Sequence, residues 1–464
     1  MCNKGIALSK ASAAPTARQT ALQILYAIDT QQAYTDVALR QTLRHSVLDR
    51  RERAFITECV YGVVRWRGRI DWLLAQACRR PLASLPPWIR NALRLGAYQC
   101  LWMQRVPCFA AVHETVALAK RFGHQGTARL VNGVLRALLR QHNTYLPPDA
   151  TTQPAAHLAV TSSHPQWLVE RWLQRYGWER TQALCEANNQ SLGVSVRVNT
   201  LRTTVAALEA RLRQEGCQQL TPAPLGLCGL VLQGSDRLEA LPSYQEGCFQ
   251  VQDIGAMLVA PLCQVQDGQR VLDTCAAPGG KTTHLAQLMH DTGRLLALDV
   301  RDSRLRLLQD NIRRLRLTSI TPVVADAAAP LPLRQKFDRI LVDAPCSGFG
   351  VLRRHPDIKW RKQPAEIMAL QTVQLMLLRT LLPYLEVDGM LIYSVCSNEP
   401  EETYEVVRCL LAEHPQLRLE PIEHPVLRQL SWPAAIAGTL DLTPEQLGTE
   451  GVFVARFRYK RSEK

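Results

Sequence analysis

The chain has 464 residues, 47% of them hydrophobic, enough to bury packed cores and to exclude disorder as the main state. Every apolar run is broken by Arg, Gln or Asp before the ~18 residues of a membrane span, and the opening MCNKGIALSKASAAPTAR has no apolar core of a secretory signal, so no membrane partner is expected. The 14 Cys form no C-x-x-C pair and no cluster with His at metal-ligand spacing, which predicts no metal and a reduced, cytoplasmic protein with free thiols.

The net charge of +14 is unevenly distributed. Residues 1–145 hold 21 Lys and Arg against 7 Asp and Glu, and the remainder of the chain is balanced. A basic first third joined to a neutral remainder predicts a polyanion-binding module attached to something else. Residues 1–14 are small and polar and read as a flexible tail. From Ala17 to about Arg140 apolar residues recur at helical spacing, as in Ala21, Leu22, Ile24 and Leu25, and Pro81, Pro86, Pro87, Pro107 and Gly123 punctuate the runs. Residues 15–145 are therefore expected to form an all-α bundle. Its arginines recur at 50, 51 and 53, at 65, 67 and 69, at 79 and 80, and at 129, 136 and 140, with Trp66, Trp72 and Trp102 nearby. Arg beside aromatics suits RNA, although core packing explains the tryptophans better. The stretches RQTALQILYAID, RAFITECVYGVVR and ARLVNGVLRALLR resemble the NusB-like RNA-binding domain.

Residues 146–165, rich in Pro, Thr and Ser, read as a linker. Residues 166–245 read as a small α+β module, with helices at Trp167–Tyr176 and Arg180–Asn188 and an alternating strand at Val194–Asn199. In that strand Arg197 and Asn199 are either RNA contacts or polar residues of an edge.

Residues 246–464 alternate strand and helix, which predicts a parallel, doubly wound, Rossmann-like sheet with its ligand beyond the carboxyl ends of the strands. The first apolar run ends at Asp273. A loop of small residues follows, Thr274–Gly280, and then a helix from Lys281. A strand, a Gly-rich loop and a helix N-terminus offer backbone N–H groups to a nucleotide-like ligand. The loop is not a phosphate-binding P-loop, because Cys275 stands where the first Gly is needed, and it lacks the G-x-G-x-x-G of a dinucleotide site. The next strands end at Asp299, Asp326 and Asp343. Asp299 lies 19 residues after Gly280 and suits ribose hydroxyls; Asp326 suits an adenine amino group. A helix cap explains one such acid, and three at successive strand ends are harder to explain so. Without phosphates to cradle, an adenosine-bearing ligand such as S-adenosylmethionine fits better than ATP. Two thiols, Cys346 in DAPCSG and Cys396 in SVCS, also stand at strand ends and can face one cleft.

The segments CAAPGGKT, FDRILVDAPCSGFGVLRRHPDIKW and YSVCSNEPEE resemble the motifs of the RNA 5-methylcytosine methyltransferases. The third departs slightly: the family often has Thr-Cys-Ser and then an apolar residue, where this chain has Val395-Cys396-Ser397-Asn398. The resemblance implies an S-adenosylmethionine-dependent RNA (cytosine-5-)-methyltransferase. Together with the NusB-like first third, it implies small-subunit ribosomal RNA as substrate. It also implies Cys396 as nucleophile, Cys346 as the group that assists release, and Asp343 at the base. Cofactor contacts would fall on Cys275, Ala276, Ala277, Pro278, Gly279, Gly280, Lys281, Asp299, Asp326 and Asp343. Beside the site, Arg353, Arg354, His355, Lys359 and Arg361 are expected to grip the RNA backbone. A monomer is expected. A transfer RNA substrate would leave the chemistry unchanged, and a binding-only protein would leave both thiols and the acids without a purpose.

Overall fold

The computed structural model describes residues 15–44, 46, 48–191, 193–234, 238–422 and 437–460. The expected tail, residues 1–14, lies outside them. The chain divides into two compact units, one drawn from residues up to Cys185 with His355–Asp357, the other from Glu186–Arg354 and from Ile358 onward.

In the first unit, the helical spacing produces α1 (Ala17–Thr30), α2 (Thr35–Arg44), α3 (Arg50–Arg65), α4 (Arg67–Ala77), α5 (Pro87–Trp102), α6 (Cys108–Arg121) and α7 (Gln125–Gln141). Three of the starts have a local cause. Thr16 caps α1 through its hydroxyl, Asp49 and Glu52 form a reciprocal capping box on α3, and Pro87 opens α5 with a preset φ. The central α5 buries Ile89, Ala92, Leu93, Leu95 and Ala97. Gly62 of α3 lies against Tyr98 of α5, where an added Cβ would come within 1.9 Å of the ring. Buried charge is paired: Arg94 bridges Asp71 at 2.7 Å and Asp29 at 3.4 Å, and Arg90 reaches Asp29 at 2.6 Å.

Several arginines that the sequence offers to RNA are structural. Arg65 is buried, burial pulls the Arg65 and Arg67 guanidinium pKa values down, and Arg69 donates to the Thr161 carbonyl at 3.0 Å. Arg50, Arg51, Arg79, Arg80, Arg129, Arg136 and Arg140 are exposed. Residues 146–165 are not a plain linker. They contain helix α8 (Pro154–Thr161), after which the Ser163 hydroxyl accepts the Gly68 N–H at 2.9 Å. The two helices expected next form α9 (Gln166–Asn189), broken at Gly177, whose φ of 72° no other residue adopts cheaply.

The second unit begins with a four-stranded antiparallel sheet, ordered β2-β3-β1-β4, made of β1 (Val194–Val198), β2 (Gln219–Pro222), β3 (Gly229–Gln233) and β4 (Phe249–Val251). Helix α10 (Val205–Gln214) packs Leu208 and Leu212 against Val196, Val198, Leu230 and Phe249. Strand β4 lies beyond residue 245, the expected end of the module, and pairs with the side of β1 that β3 leaves open. That makes β1 an inner strand, so Arg197 and Asn199 are not on an edge. Both are buried.

A short helix, α11 (Pro242–Gln245), precedes β4, and α12 (Ile254–Leu262) leads into the large sheet. Its parts are β5 (Arg270–Asp273), α13 (Gly280–Leu288), β6 (Arg294–Asp299), α14 (Asp302–Leu315), β7 (Ile320–Val324), β8 (Phe337–Asp343), α15 (Ile358–Arg361), α16 (Pro364–Leu381), β9 (Leu385–Val395), α17 (Tyr404–Glu413), β10 (Leu417–Leu419), β11 (Thr439–Leu442) and β12 (Val452–Tyr459). The order is β10-β12-β9-β8-β5-β6-β7, with β11 on β12. Strands β5 to β9 are parallel, as expected, and the apolar runs of β5, β6, β8 and β9 supply the core on both faces, whereas the edge strand β7 leaves Val323 and Val324 exposed. The sheet is mixed rather than all parallel: β12 returns antiparallel along β9 and carries β10 and β11. Helix α16 is apolar and long enough to span a membrane by length and composition, yet its Leu375, Leu377, Leu378 and Leu381 belong to the core against this sheet.

Candidate active site

Strand order reverses between β5 and β8, so the crevice of a doubly wound sheet opens at their carboxyl ends. Asp273 ends β5 and Asp343 ends β8. The loop after β5 is held by its carbonyls and by its first residues. Ala276 N–H bonds the Leu298 carbonyl at 2.8 Å, and Ala277 N–H donates to Asp299 Oδ2 at 3.3 Å. Arg304 and Asn311 of α14 donate to the Ala277 and Pro278 carbonyls at 2.5 and 3.0 Å. Arg197 of β1 donates to the Gly280 carbonyl at 2.6 Å and to Thr283 Oγ1 at 2.9 Å, and also to Gln252. Gly279, with φ 104°, turns the chain into α13.

The first N–H groups of α13 have no partner inside the helix, so they and the helix dipole favour a carboxylate. The buried Asp273 accepts the Thr282 hydroxyl at Oδ2, 2.7 Å away, and its Oδ1 has no hydrogen-bond partner among the described residues. Burial pushes its carboxyl up to about 7. Asp299, also buried, takes the Arg301 N–H at 2.9 Å. Asp326 is exposed after β7 and accepts the Ala328 N–H at 2.9 Å. A helix N-terminus, an acid with an idle oxygen and an acid at the next strand end are the donor and acceptor set that an amino acid joined to a nucleoside needs.

The two thiols come from neighbouring strands. Asp343 of β8 is opposite Ser394 of β9, so Cys346 and Cys396, a few residues on, meet at the sheet end. Their sulfurs are 3.2 Å apart. The hydrogen bond between them pushes Cys346 well above the ordinary thiol range and pulls Cys396 below it. Burial raises both, and the Lys281 ammonium favours the Cys396 thiolate. Lys281 is ion-paired with Asp343, which also accepts from Ser394 Oγ at 2.7 Å. Burial opposes the Lys281 charge, and Asp343 more than offsets it, so Lys281 titrates above the ordinary lysine.

The segment expected to grip RNA is placed differently. Arg353 is buried and donates to Gln190 at 3.0 Å and to the Thr449 carbonyl at 3.2 Å. Arg354 is ion-paired with Asp253 at 2.5 Å and Glu450 at 2.7 Å. Lys359 is buried, with Asn189 Oδ1 at 3.2 Å. Those three side chains are spent inside the fold, which corrects the expectation for them. His355 and Arg361 are partly exposed. Sequence reasoning missed Arg197 as a brace of the loop, the Lys281–Asp343 pair, and Glu402. The last was legible only as an acid six residues after Cys396. Among the described residues no group of three His, Cys, Asp or Glu is placed to hold a metal.

Residues 15–140 match the NusB family, residues 164–237 the ferredoxin-like domain of RsmF/B-like methyltransferases, and residues 260–458 the family described as 16S rRNA methyltransferase RsmB/F. A Bacillus subtilis protein named probable ribosomal RNA small subunit methyltransferase B is 34% identical over 96% of this chain and 98% of its own. A Synechocystis protein of the same name is 37% identical over 96% and 99%. The chain belongs to the ribosomal RNA small subunit methyltransferase B family. It is an S-adenosylmethionine-dependent RNA methyltransferase. Among solved structures, a methyltransferase homologue from Pyrococcus horikoshii is 29% identical with a TM-score of 0.57, over 68% of this chain and all of its own. The structure of NSun6 from the same organism with SFG has a TM-score of 0.59 at 21% identity over 64% of this chain and 99% of its own, a likeness of fold. The loop Cys275–Lys281, Asp273 and Asp299 present donors and acceptors of the kind that the amino-acid and ribose ends of such a cofactor require.

Proposed function

We propose that this methyltransferase modifies carbon 5 of one cytosine in small-subunit ribosomal RNA, in the cytoplasm, through a covalent bond between Cys396 and carbon 6. The observation that carries the reading is the pair of sulfurs 3.2 Å apart, with the Lys281 ammonium favouring the Cys396 thiolate.

Carbon 5 of cytosine is a poor nucleophile. When the Cys396 thiolate adds to carbon 6, one S–C bond forms and the C5–C6 pair shifts through the ring to nitrogen 3, which takes a proton from solvent and gives it up again when the aromatic ring is restored. Asp343 hydrogen-bonds that nitrogen, and the paired Lys281 ammonium beside it offsets the charge that develops. Carbon 5 is then an enamine carbon. S-adenosylmethionine supplies, when bound, an electrophilic methyl group. Consumption of the Cys396 thiolate removes the acceptor of the Cys346 hydrogen bond and lets that thiol ionise, its proton passing to solvent. Cys346 then takes the proton from carbon 5 as the S–C bond breaks and its pair returns to Cys396, which restores the aromatic ring. The base must leave its stack, so an unpaired cytosine is the better substrate.

The test is covalent trapping. Cys346→Ala, incubated with S-adenosylmethionine and protein-free small-subunit ribosomal RNA, should give an RNA–protein adduct on a denaturing gel, and Cys396→Ala should give none. The reverse pattern would exchange the two roles. No adduct from either variant, with no methyl transfer by the unaltered protein on this RNA, would refute the reading.

A further inference from the structure

Glu402 is fully buried, six residues after Cys396 in the turn Pro400–Glu402. Its Oε1 accepts the Ser347 N–H at 2.7 Å and Gln374 Nε2 at 3.2 Å. Its Oε2 accepts the Ser347 and Ser397 hydroxyls, each at 2.5 Å, and those hydroxyl oxygens are 3.0 Å apart. Its backbone carbonyl takes the Tyr393 hydroxyl at 2.6 Å. Every one of these donors is neutral, and burial pushes the carboxyl up while Ser347 and Ser397 work against that shift. A carboxylate held out of water without a cationic partner is costly, and mere packing would be served better by an apolar side chain.

The partners explain its place. Ser347 follows Cys346 and Ser397 follows Cys396, so one carboxylate ties together the two loops that carry the thiols. Other ties frame them: Ala344 N–H to the Ser394 carbonyl and Gly350 N–H to the Cys396 carbonyl, both at 3.0 Å. None of these joins the residues next to the sulfurs. We propose that Glu402 is a positioning residue that locks Ser347 to Ser397 and thereby sets the separation of the Cys346 and Cys396 sulfurs. The inference rests on the reading that both thiols serve one reaction. It gives Glu402 no contact with the base or the cofactor. A misplacement of about 1 Å between reacting groups costs roughly 100-fold in rate.

The experiment uses the full chain, protein-free small-subunit ribosomal RNA and S-adenosylmethionine. Glu402→Gln keeps the shape but can accept through one oxygen only. Its kcat should fall by roughly 100-fold, with KM for S-adenosylmethionine unchanged, because the hydrogen-bond partners of Glu402 are Ser347, Gln374, Tyr393 and Ser397 and none belongs to the loop Cys275–Lys281. Wild-type kcat in Glu402→Gln would overturn the inference. A second readout separates positioning from proton transfer. The carboxylate's charge opposes ionisation of both thiols. Without it, alkylation of Cys396 by iodoacetamide should move to lower pH. A move to higher pH would make Glu402 the base for Cys396 and overturn the positioning role. If Glu402→Gln loses S-adenosylmethionine binding, Ser397→Ala decides: a lowered kcat supports the inference and an unchanged one refutes it. Retained methyl transfer in Cys396→Ala would instead sink the nucleophile reading, whatever Glu402 does.

Discussion

Gly279 turns the chain from the loop after β5 into α13, and its replacement by Ala perturbs the loop in two separable ways. At φ 104° an L residue is strained, which costs about 1–3 kcal/mol. The new Cβ would also come 2.4 Å from Leu308 Cδ1. Leu308 is fully buried on α14 and cannot swing into solvent, so this clash adds about 1–3 kcal/mol of overpacking. The sum, about 2–6 kcal/mol, must appear as lost stability, as a displaced loop, or as both. Gly279→Ala should therefore lower the urea midpoint and weaken S-adenosylmethionine binding by about tenfold or more, the equivalent of ~1.4 kcal/mol, in titration calorimetry. A double-mutant cycle separates the causes. In a Leu308→Ala background, itself destabilised by the cavity, the cost of Gly279→Ala should shrink by about 1–3 kcal/mol, leaving the backbone strain. Equal costs in the two backgrounds, or wild-type affinity in Gly279→Ala, would refute the reasoning.

Cys346→Ala removes the S–H that favours the Cys396 thiolate. The rate of iodoacetamide attack on Cys396, followed by mass spectrometry of its peptide, should therefore shift to higher pH, and an unmoved profile would contradict the hydrogen bond. Asp273 has a folded pKa of about 7, above the 3.8 of a free carboxyl, because burial disfavours its charge. The folded chain thus binds more protons between these values, and stability falls as pH rises from about 4 to about 7. Asp273→Asn should flatten melting temperatures across that window, whereas a parallel pH profile would show that Asp273 is not the titrating group. Deletion of residues 1–145, which hold the basic excess, should weaken RNA binding and reduce its salt dependence while S-adenosylmethionine binding persists. Equal loss of both would count against a separable RNA-binding part.

Local pattern made much of this chain legible. Amphipathic spacing marks α1 to α7, and short apolar runs ending in Asp or Cys mark strands whose last residues reach a shared crevice. The periods of helix and strand are properties of adjacent residues, so they survive without a structure. Burial of charge does not. Arg353, Arg354 and Lys359 look like an RNA grip in sequence because nothing nearby shows Gln190, Asp253, Glu450 or Asn189 waiting for them. The prolines and threonines of 146–165 imitate a linker, yet the short α8 forms there. The antiparallel return of β12 was equally hidden, since pairing direction is set by the connection and not by the strand's composition.

Local sequence was enough to mark helices α1 to α7, the Gly-rich turn before α13, and the thiols and acids at the strand ends. Only the tertiary structure decided which of them meet. The 3.2 Å between Cys346 and Cys396 exists because β8 and β9 are paired in one register, Asp343 opposite Ser394. The buried Arg197 finds the Gly280 carbonyl, and Glu402 finds Ser347, across separations of 83 and 55 residues. Such partners are fixed by the long-range packing that lowers the cost of burying a charge, and no window of neighbouring residues contains that information.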